Sequence, residues 1–283
     1  MRTHDCKPTL SDRQVMQFCT RGYLVLDGVV EEEVNQRALA YLTRDEAVEP
    51  IALLQADWFV EGVLHNRQAA GAARSLLGAH FVLPHTLANH RGKCPDPEPV
   101  AWHCDGYSWH TIELRHLMMF YLPQACSADM GPTEFVPGSH FLEATSHLVH
   151  HYGNIAGTIK ATGAAGTILL CEPTLWHRRS RTKTAGPIRH LLKYHCWRQS
   201  PPTRDWVIEA DFDPGRHPEQ FLMGAPLSYR RNIQDCHDAA ELFLWLCGRH
   251  HEFEPLGGPG WPCPTNGAHR QFGIPPALQT PGA

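Results

Sequence analysis

The sequence predicts a single domain in which helices pack on an antiparallel β core. Three observations carry this. Helical patterns are confined mainly to the first 80 residues. From about residue 81 short β-like runs alternate with Gly/Pro-rich turns, the rhythm of a sandwich or barrel. No repeat, low-complexity block or linker divides the 283 residues, a length that suits one large domain with a substantial core.

Taken in order, Ser11 is a helix cap for Asp12–Thr20, whose Val15, Met16 and Phe18 form an apolar face, and Gly22 stops that helix. Tyr23–Leu26 reads as a strand ending at Asp27-Gly28. Glu31–Arg44 is a second helix, with Val34, Ala38 and Leu42 at helical spacing. Arg67–Leu77 is a third, alanine-rich and closed by Gly78. The β-like runs are Phe81–Ala88, Leu114–Leu122, Thr133–Val136, Gly166–Cys171 and Arg189–Trp197. The Pro-, Gly- and Trp-rich stretch after Ser200 is expected to wrap the core, with a helix around Asp235–Cys247.

Composition narrows the function. Hydrophobic residues are 42% and charged residues 19%, which argues against disorder. The formal net charge is −4 with no basic stripe, so no nucleic-acid partner is expected. No apolar run approaches the roughly 20 residues needed to span a bilayer, so no membrane partner is expected either. The N-terminus lacks the apolar core of a secretory signal, and the expected compartment is cytoplasmic. Ten cysteines show no pair separated by two residues, so zinc-ribbon spacing is absent and most are expected to be reduced. Twenty histidines are a surplus of the commonest metal ligand, and their spacing must decide whether it matters.

Three segments carry chemistry. In Trp102-His103-Cys104-Asp105-Gly106, His103 and Asp105 are two apart, so on an extended strand both face one way and can approach the same cation, while Cys104 points away. An apolar strand, Thr167-Ile168-Leu169-Leu170, runs through a short turn to Trp176-His177. In the third segment Arg189, Leu191, Lys193 and His195 share one strand face and Ile188, His190, Leu192 and Tyr194 the other. Two histidines and one carboxylate bound facially leave three open positions on an octahedral ion, the arrangement of non-haem Fe(II) oxygenases. Arg189 adds a planar fork suited to a carboxylate.

With these residues the chain resembles the phytanoyl-CoA dioxygenase family of Fe(II)/2-oxoglutarate-dependent oxygenases. The carrying residues are Trp102-His103-Cys104-Asp105-Gly106, the segment Gly131-Pro132-Thr133-Glu134-Phe135-Val136-Pro137-Gly138-Ser139-His140, then Trp176-His177 and Arg189. The family usually places its arginine some eleven residues after the distal histidine; here the spacing is twelve. The resemblance extends to about Trp206 and fades beyond it.

The resemblance implies a double-stranded β-helix, or jelly-roll, of the cupin-like kind over 81–206, with a helical flank over 1–80 and a C-terminal wrap or lid over 207–283. It implies Fe(II) held by His103, Asp105 and His177, with 2-oxoglutarate held through its distal carboxylate by Arg189 and O₂ as the oxidant. The expected reaction is hydroxylation of an unactivated C–H bond of a small organic molecule, with release of succinate and CO₂. Related halogenases replace the carboxylate ligand with a small residue, so retention of Asp105 argues for oxygenation. Desaturation, epoxidation or ring closure with the same cofactors is an alternative outcome. A non-catalytic ligand-binding protein on the same fold is another, and a zinc hydrolase a distant third.

Further candidates follow from position. Asn89 is placed to reach 2-oxoglutarate, with a surface turn as the alternative. Lys193 shares the Arg189 face and either adds positive charge for the cosubstrate, takes an anionic partner or reaches solvent. Trp109 and Tyr107 follow the first motif and are candidates to line a substrate pocket, against plain packing. His140 reads as a structural loop residue, and His195 as a hydrogen-bonding support. Arg178-Arg179-Ser180-Arg181 reads as a solvated loop, with attraction of an anionic substrate as the alternative. Trp245, Trp261 and Gly257-Gly258-Pro259-Gly260 are candidates for a lid.

Overall fold

The computed structural model describes residues 1–44, 48–105, 112–142, 149–183, 185–186, 188–212 and 229–252. After a short strand β1 (Thr3–His4), helix α1 spans Asp12–Arg21. Its start is a reciprocal capping box. Ser11 Oγ accepts from the Gln14 amide and Gln14 Oε1 accepts from the Ser11 amide, at 3.4 and 2.9 Å. Its end is Gly22, left-handed at φ 78°, whose amide closes on the Phe18 carbonyl at 2.7 Å. That turn releases the chain directly into β2 (Tyr23–Leu26). Helix α2 (Glu32–Leu42) carries Glu32 and Glu33 in its first turn, where they complement the helix dipole in place of a side-chain cap. A short α3 (Asp57–Phe59) runs into a wider turn over Val60–Leu64. Helix α4 (Arg67–Leu77) is capped by Asn66, which accepts from the amides of Gln68 and Ala69.

The β region is two antiparallel sheets. The remaining strands are β3 (Phe81–Val82), β4 (Ala88–Asn89), β5 (His116–Leu122), β6 (Thr133–Phe135), β7 (Ile159–Ala161), β8 (Thr167–Cys171), β9 (His177–Arg179) and β10 (Leu192–Trp197). The large sheet runs β1-β3-β10-β5-β8-β2, with β4 also paired to β10; the small sheet runs β7-β6-β9. The expected run over 81–88 is two short strands, and β7 and β9 were not foreseen as strands.

Strands β5 and β8 are apolar at nearly every position because both faces of the large sheet are covered. Leu117, Met119, Tyr121, Ile168 and Leu170 join the helix-side core with Phe18, Phe59 and Leu76. Met118, Phe120, Leu122, Leu169 and Cys171 meet Phe135 and Ala161 of the small sheet. The sheets therefore enclose an apolar layer of their own, distinct from the helical one.

Helix α5 (Tyr229–Leu246) packs on α1, starting earlier than the sequence suggested. Leu242, Phe243 and Leu246 enter the helix-side core, and Trp206 meets Phe243 edge-on at 5.7 Å. Trp245 packs there too, with the Arg198 guanidinium over its ring at 4.9 Å. This lid candidate thus lies on the helical layer, across the large sheet from the site described below. Trp261 and residues 257–260 lie outside the described residues. No helix among the described residues is long and apolar enough to cross a membrane.

Gly22→Ala is expected to destabilise the fold by about 2 kcal/mol, because a left-handed non-glycine residue costs roughly 1–2 kcal/mol. A Cβ there would also approach His140 Nδ1 to 2.6 Å and Leu175 Cδ1 to 2.9 Å. A fall in the urea midpoint at constant m-value checks this; an unchanged midpoint would show that the turn relaxes without cost.

Candidate metal centre

His103 and His177 are brought together by the backbone. Their amides and carbonyls exchange two hydrogen bonds, at 3.0 and 2.9 Å, in an antiparallel bridge. The rings lie 4.3 Å apart. Asp105 follows two residues later, its amide held by the Pro173 carbonyl at 3.0 Å, and its Oδ2 is 3.3 Å from His177 Nε2. The ligand atoms of His103, Asp105 and His177 all lie within 4.8 Å of one another. One ion with bonds of about 2.1 Å can close that gap with small side-chain rotations.

Each imidazole is also oriented. His103 Nδ1 lies 2.9 Å from the Ala101 carbonyl, and His177 Nδ1 lies 2.9 Å from the Leu175 carbonyl. A carbonyl can only accept, so with a metal bound each Nδ1 would keep its proton and each Nε2 would turn its lone pair inward. Burial, then the adjacent His177, lowers the pKa of His103 and favours the neutral form that a metal needs. Burial opposes the charge on Asp105, but hydrogen bonds and charge from His177 and Lys193 outweigh it and hold that carboxyl well below the usual range.

Lys193, on β10, gives its Nζ to Asp105 Oδ2 at 2.9 Å. Of the roles open to it, the structure shows the anionic partner. Arg189 lies on the same face, only 2% exposed, bridged by its backbone to Gly92. Its Nε and Nη1 are buried and have no hydrogen-bond partner among the described residues. Gly92 makes room for it: a Cβ there would come within 3.2 Å of Nε. Burial lowers the Arg189 pKa, yet a guanidinium stays charged at neutral pH. Each unpartnered buried donor costs about 1–3 kcal/mol. Nη2 has no hydrogen-bond partner among the described residues either, so it can form a fork with Nε or with Nη1, and a buried planar cation so left open is a built seat for an anion such as a carboxylate.

Asn89 is not part of this face. It pairs with Leu192 in register, so it points with Leu192 toward the helical side, and its Nδ2 lies 3.0 Å from His190 Nδ1. The next residue, His90, takes the opposite side and feels the charges of Lys193, Asp105, Arg189 and His177. The expectation for Asn89 fails by one residue, the smallest slip that reverses a face. His140 is structural: it is buried, with Nε2 2.9 Å from the Cys19 carbonyl. Nor is Arg178 solvated. It is buried, pairs through Nε with Glu134 at 2.8 Å and lies 4.2 Å over the Trp102 ring. Arg179 pairs with Asp96 at 2.8 Å. Tyr107 and Trp109 lie outside the described residues.

Two facing antiparallel sheets bring two histidines and a carboxylate together, a donor set that could hold one metal ion on a cupin-like fold. The profile of the phytanoyl-CoA dioxygenase (PhyH) family matches residues 18–191, and the chain belongs to that family. Solved structures of similar fold include HygX from Streptomyces hygroscopicus with nickel and 2-oxoglutarate bound. It has a TM-score of 0.56 and 17% identity, covering 68% of this chain and 88% of that one. EctD from S. alaskensis with bound Fe has a TM-score of 0.51 and 22% identity, over 69% and 80%. The non-heme alpha-ketoglutarate-dependent epimerase SnoN from nogalamycin biosynthesis has a TM-score of 0.52 and 18% identity, over 66% and 82%. No curated protein sequence matches the chain.

His177→Ala is expected to weaken Fe(II) binding by on the order of a hundredfold or more, since losing even an outer support of a ligand typically costs 10–100-fold. Anaerobic calorimetric titration of the apo-protein reads this directly, and wild-type affinity in the variant would remove His177 from the ligand set.

Proposed function

We propose that the chain is an Fe(II)- and 2-oxoglutarate-dependent dioxygenase that hydroxylates a C–H bond of a small organic molecule, releasing succinate and CO₂. The observation that carries the reading is Arg189: a buried guanidinium with two open donors, on the same strand face as Lys193, which itself touches the carboxylate of the candidate triad. A structural arginine at this depth would have its own partner. Family membership and the fold shared with proteins solved with iron or 2-oxoglutarate support the same cofactors.

In this reading His103, Asp105 and His177 hold Fe(II). The bound metal with its cosubstrate supplies activation of O₂ for attack on an unreactive C–H bond. The rest is positioning by the protein. Arg189 takes the distal carboxylate of 2-oxoglutarate as a two-pronged hydrogen-bond pair, which fixes how far the keto-acid end reaches. The carbonyls of Ala101 and Leu175 keep the two Nε2 atoms turned inward. Lys193 holds one oxygen of Asp105 and limits how the carboxylate can turn. The apolar layer of Phe120, Phe135 and Leu191 keeps bulk water from the inner wall, where it would weaken each electrostatic contact. Asp105 would fill the ligand position that a halide takes where a small residue replaces the carboxylate.

Anaerobic addition of Fe(II) and 2-oxoglutarate is expected to produce a visible metal-to-ligand charge-transfer band that is lost in His177→Ala. Folded wild-type protein with no band would refute the cofactor assignment. Arg189→Ala is expected to raise the 2-oxoglutarate concentration for half-saturation by about 10–100-fold, the 1.5–3 kcal/mol of a charged hydrogen-bond pair. Arg189→Lys should not restore it, since a point charge lacks the fork. Unchanged cosubstrate dependence in Arg189→Ala would place the distal carboxylate elsewhere.

A further inference from the structure

Beyond Lys193, the metal-side face of β10 continues with His195 and Trp197, while Leu192, Tyr194 and Cys196 point into the helical core. Register places His116 of β5 opposite Trp197, on the same face. His116 lies 5.4 Å from His195 and 6.3 Å from Trp197, ring centre to ring centre. On the other flank His85, from the link between β3 and β4, stacks on Trp197 at 5.0 Å and 26°. Strands β3 and β4 border β10 on one side and β5 on the other, so Trp197 lies between two imidazoles. His85 stacks on the Trp197 ring and His116 lies more loosely beside it, so the row presents polar ring edges together with aromatic surface.

Those edges are polar and open. The side chains of His85, His116, His195 and Trp197 make no hydrogen bond to another described residue, and their nitrogens are not sealed from solvent. His195 is held down to about 4, first by burial and then by His116 and Lys193, and burial also lowers His116. Both are neutral at pH 7, each with one donor and one acceptor nitrogen. The cation on the same face of β10, Lys193, is engaged by Asp105. The row runs four residues out from Lys193, about 13 Å at 3.3 Å per residue.

We propose that His85, His116, His195 and Trp197 form the substrate floor of this enzyme, and that they take an uncharged molecule bearing several hydroxyl or carbonyl oxygens. The inference rests on the oxygenase reading above, because the row matters as a floor only if a metal reacts at its inner end. Neutral imidazoles read such oxygens by donating to or accepting from them. The row supplies neither a free cation for a carboxylate or phosphate nor an unbroken apolar surface for a hydrocarbon chain.

The test uses the Fe(II)- and 2-oxoglutarate-loaded protein without oxygen, with its histidines labelled by ¹⁵N. Three equal sets of fragments are screened by NMR: methyl glycosides, cyclitols and hydroxylated lactones; carboxylates; and hydrocarbons. Hits are expected in the first set, moving the ring-nitrogen signals of His116 and His195. His116→Leu with His195→Leu should weaken those hits about tenfold or more while keeping the charge-transfer band. His195→Gln, which restores a donor and an acceptor, should recover part of the loss. No hits in the first set, hits confined to the other two, or hits unaffected by the double variant would overturn the proposal while an intact band leaves the cofactor reading standing. Absence of the band in the unaltered protein would overturn that reading and the floor with it.

Discussion

The alternation of side chains along one strand organises this molecule. β10 lies inside the large sheet, with β3 and β4 on one side and β5 on the other. Its even-numbered residues from Leu192 to Cys196 close the helical core, and its odd-numbered ones face the other layer. Leu191 packs between the sheets, Lys193 meets Asp105, and His195 and Trp197 extend outward. A one-residue slip would put Lys193 into an apolar core and Tyr194 beside the candidate triad. The apolar partners of Leu192 and Tyr194 make that slip prohibitive, because burying an unpaired ammonium costs far more than any contact it could gain. Helical packing on one face therefore sets the register of the chemistry on the other.

A second constraint is the treatment of buried charge. Asp12 is fully buried and accepts from Arg204, from the Trp206 indole at 2.8 Å and from the Glu209 amide at 2.7 Å. Arg74 is shared between Asp5 and Asp205, both at 2.7 Å. Arg178 has Glu134 and the face of Trp102. In each case a desolvated ion is matched where it lies, as it must be when the interior screens so little. Arg189 departs from this pattern within the same fold. The departure is informative because the chain shows how it satisfies an arginine when the purpose is structural.

Much of this was legible in the sequence where local chemistry decides. Ser11, Gly22 and Gly78 mark helix ends by rules that act over three or four residues, and the boundaries follow them. The spacing of His103 and Asp105 reflects a two-residue period and needs no long-range knowledge. Strands β7 (Ile159–Ala161) and β9 (His177–Arg179) lack the β-rich run that marks β6 and exist through pairing with it. Asn89 was misplaced for a related reason. Its face depends on register with β10, which the local sequence does not contain. The Lys193 partner was equally hidden, since Asp105 lies 88 residues away.

The histidine surplus also changes meaning once the side chains are placed. Two imidazoles belong to the candidate metal centre, His140 ties a loop to α1, and His4 stacks on His65 at 4.0 Å. His116 and His195 are half-buried with lowered pKa values. Composition suggested metal binding, but only two of the placed rings lie in the candidate metal centre, and His116 and His195 stand as half-buried polar surface. A half-buried lysine or glutamate would need a counter-ion or would lose hydration without recompense. An imidazole can shed its proton and stay polar, keeping a donor and an acceptor at small desolvation cost. A half-buried wall beside the candidate metal centre that is to stay polar without a counter-ion has few other side chains to draw on, and imidazoles meet that constraint.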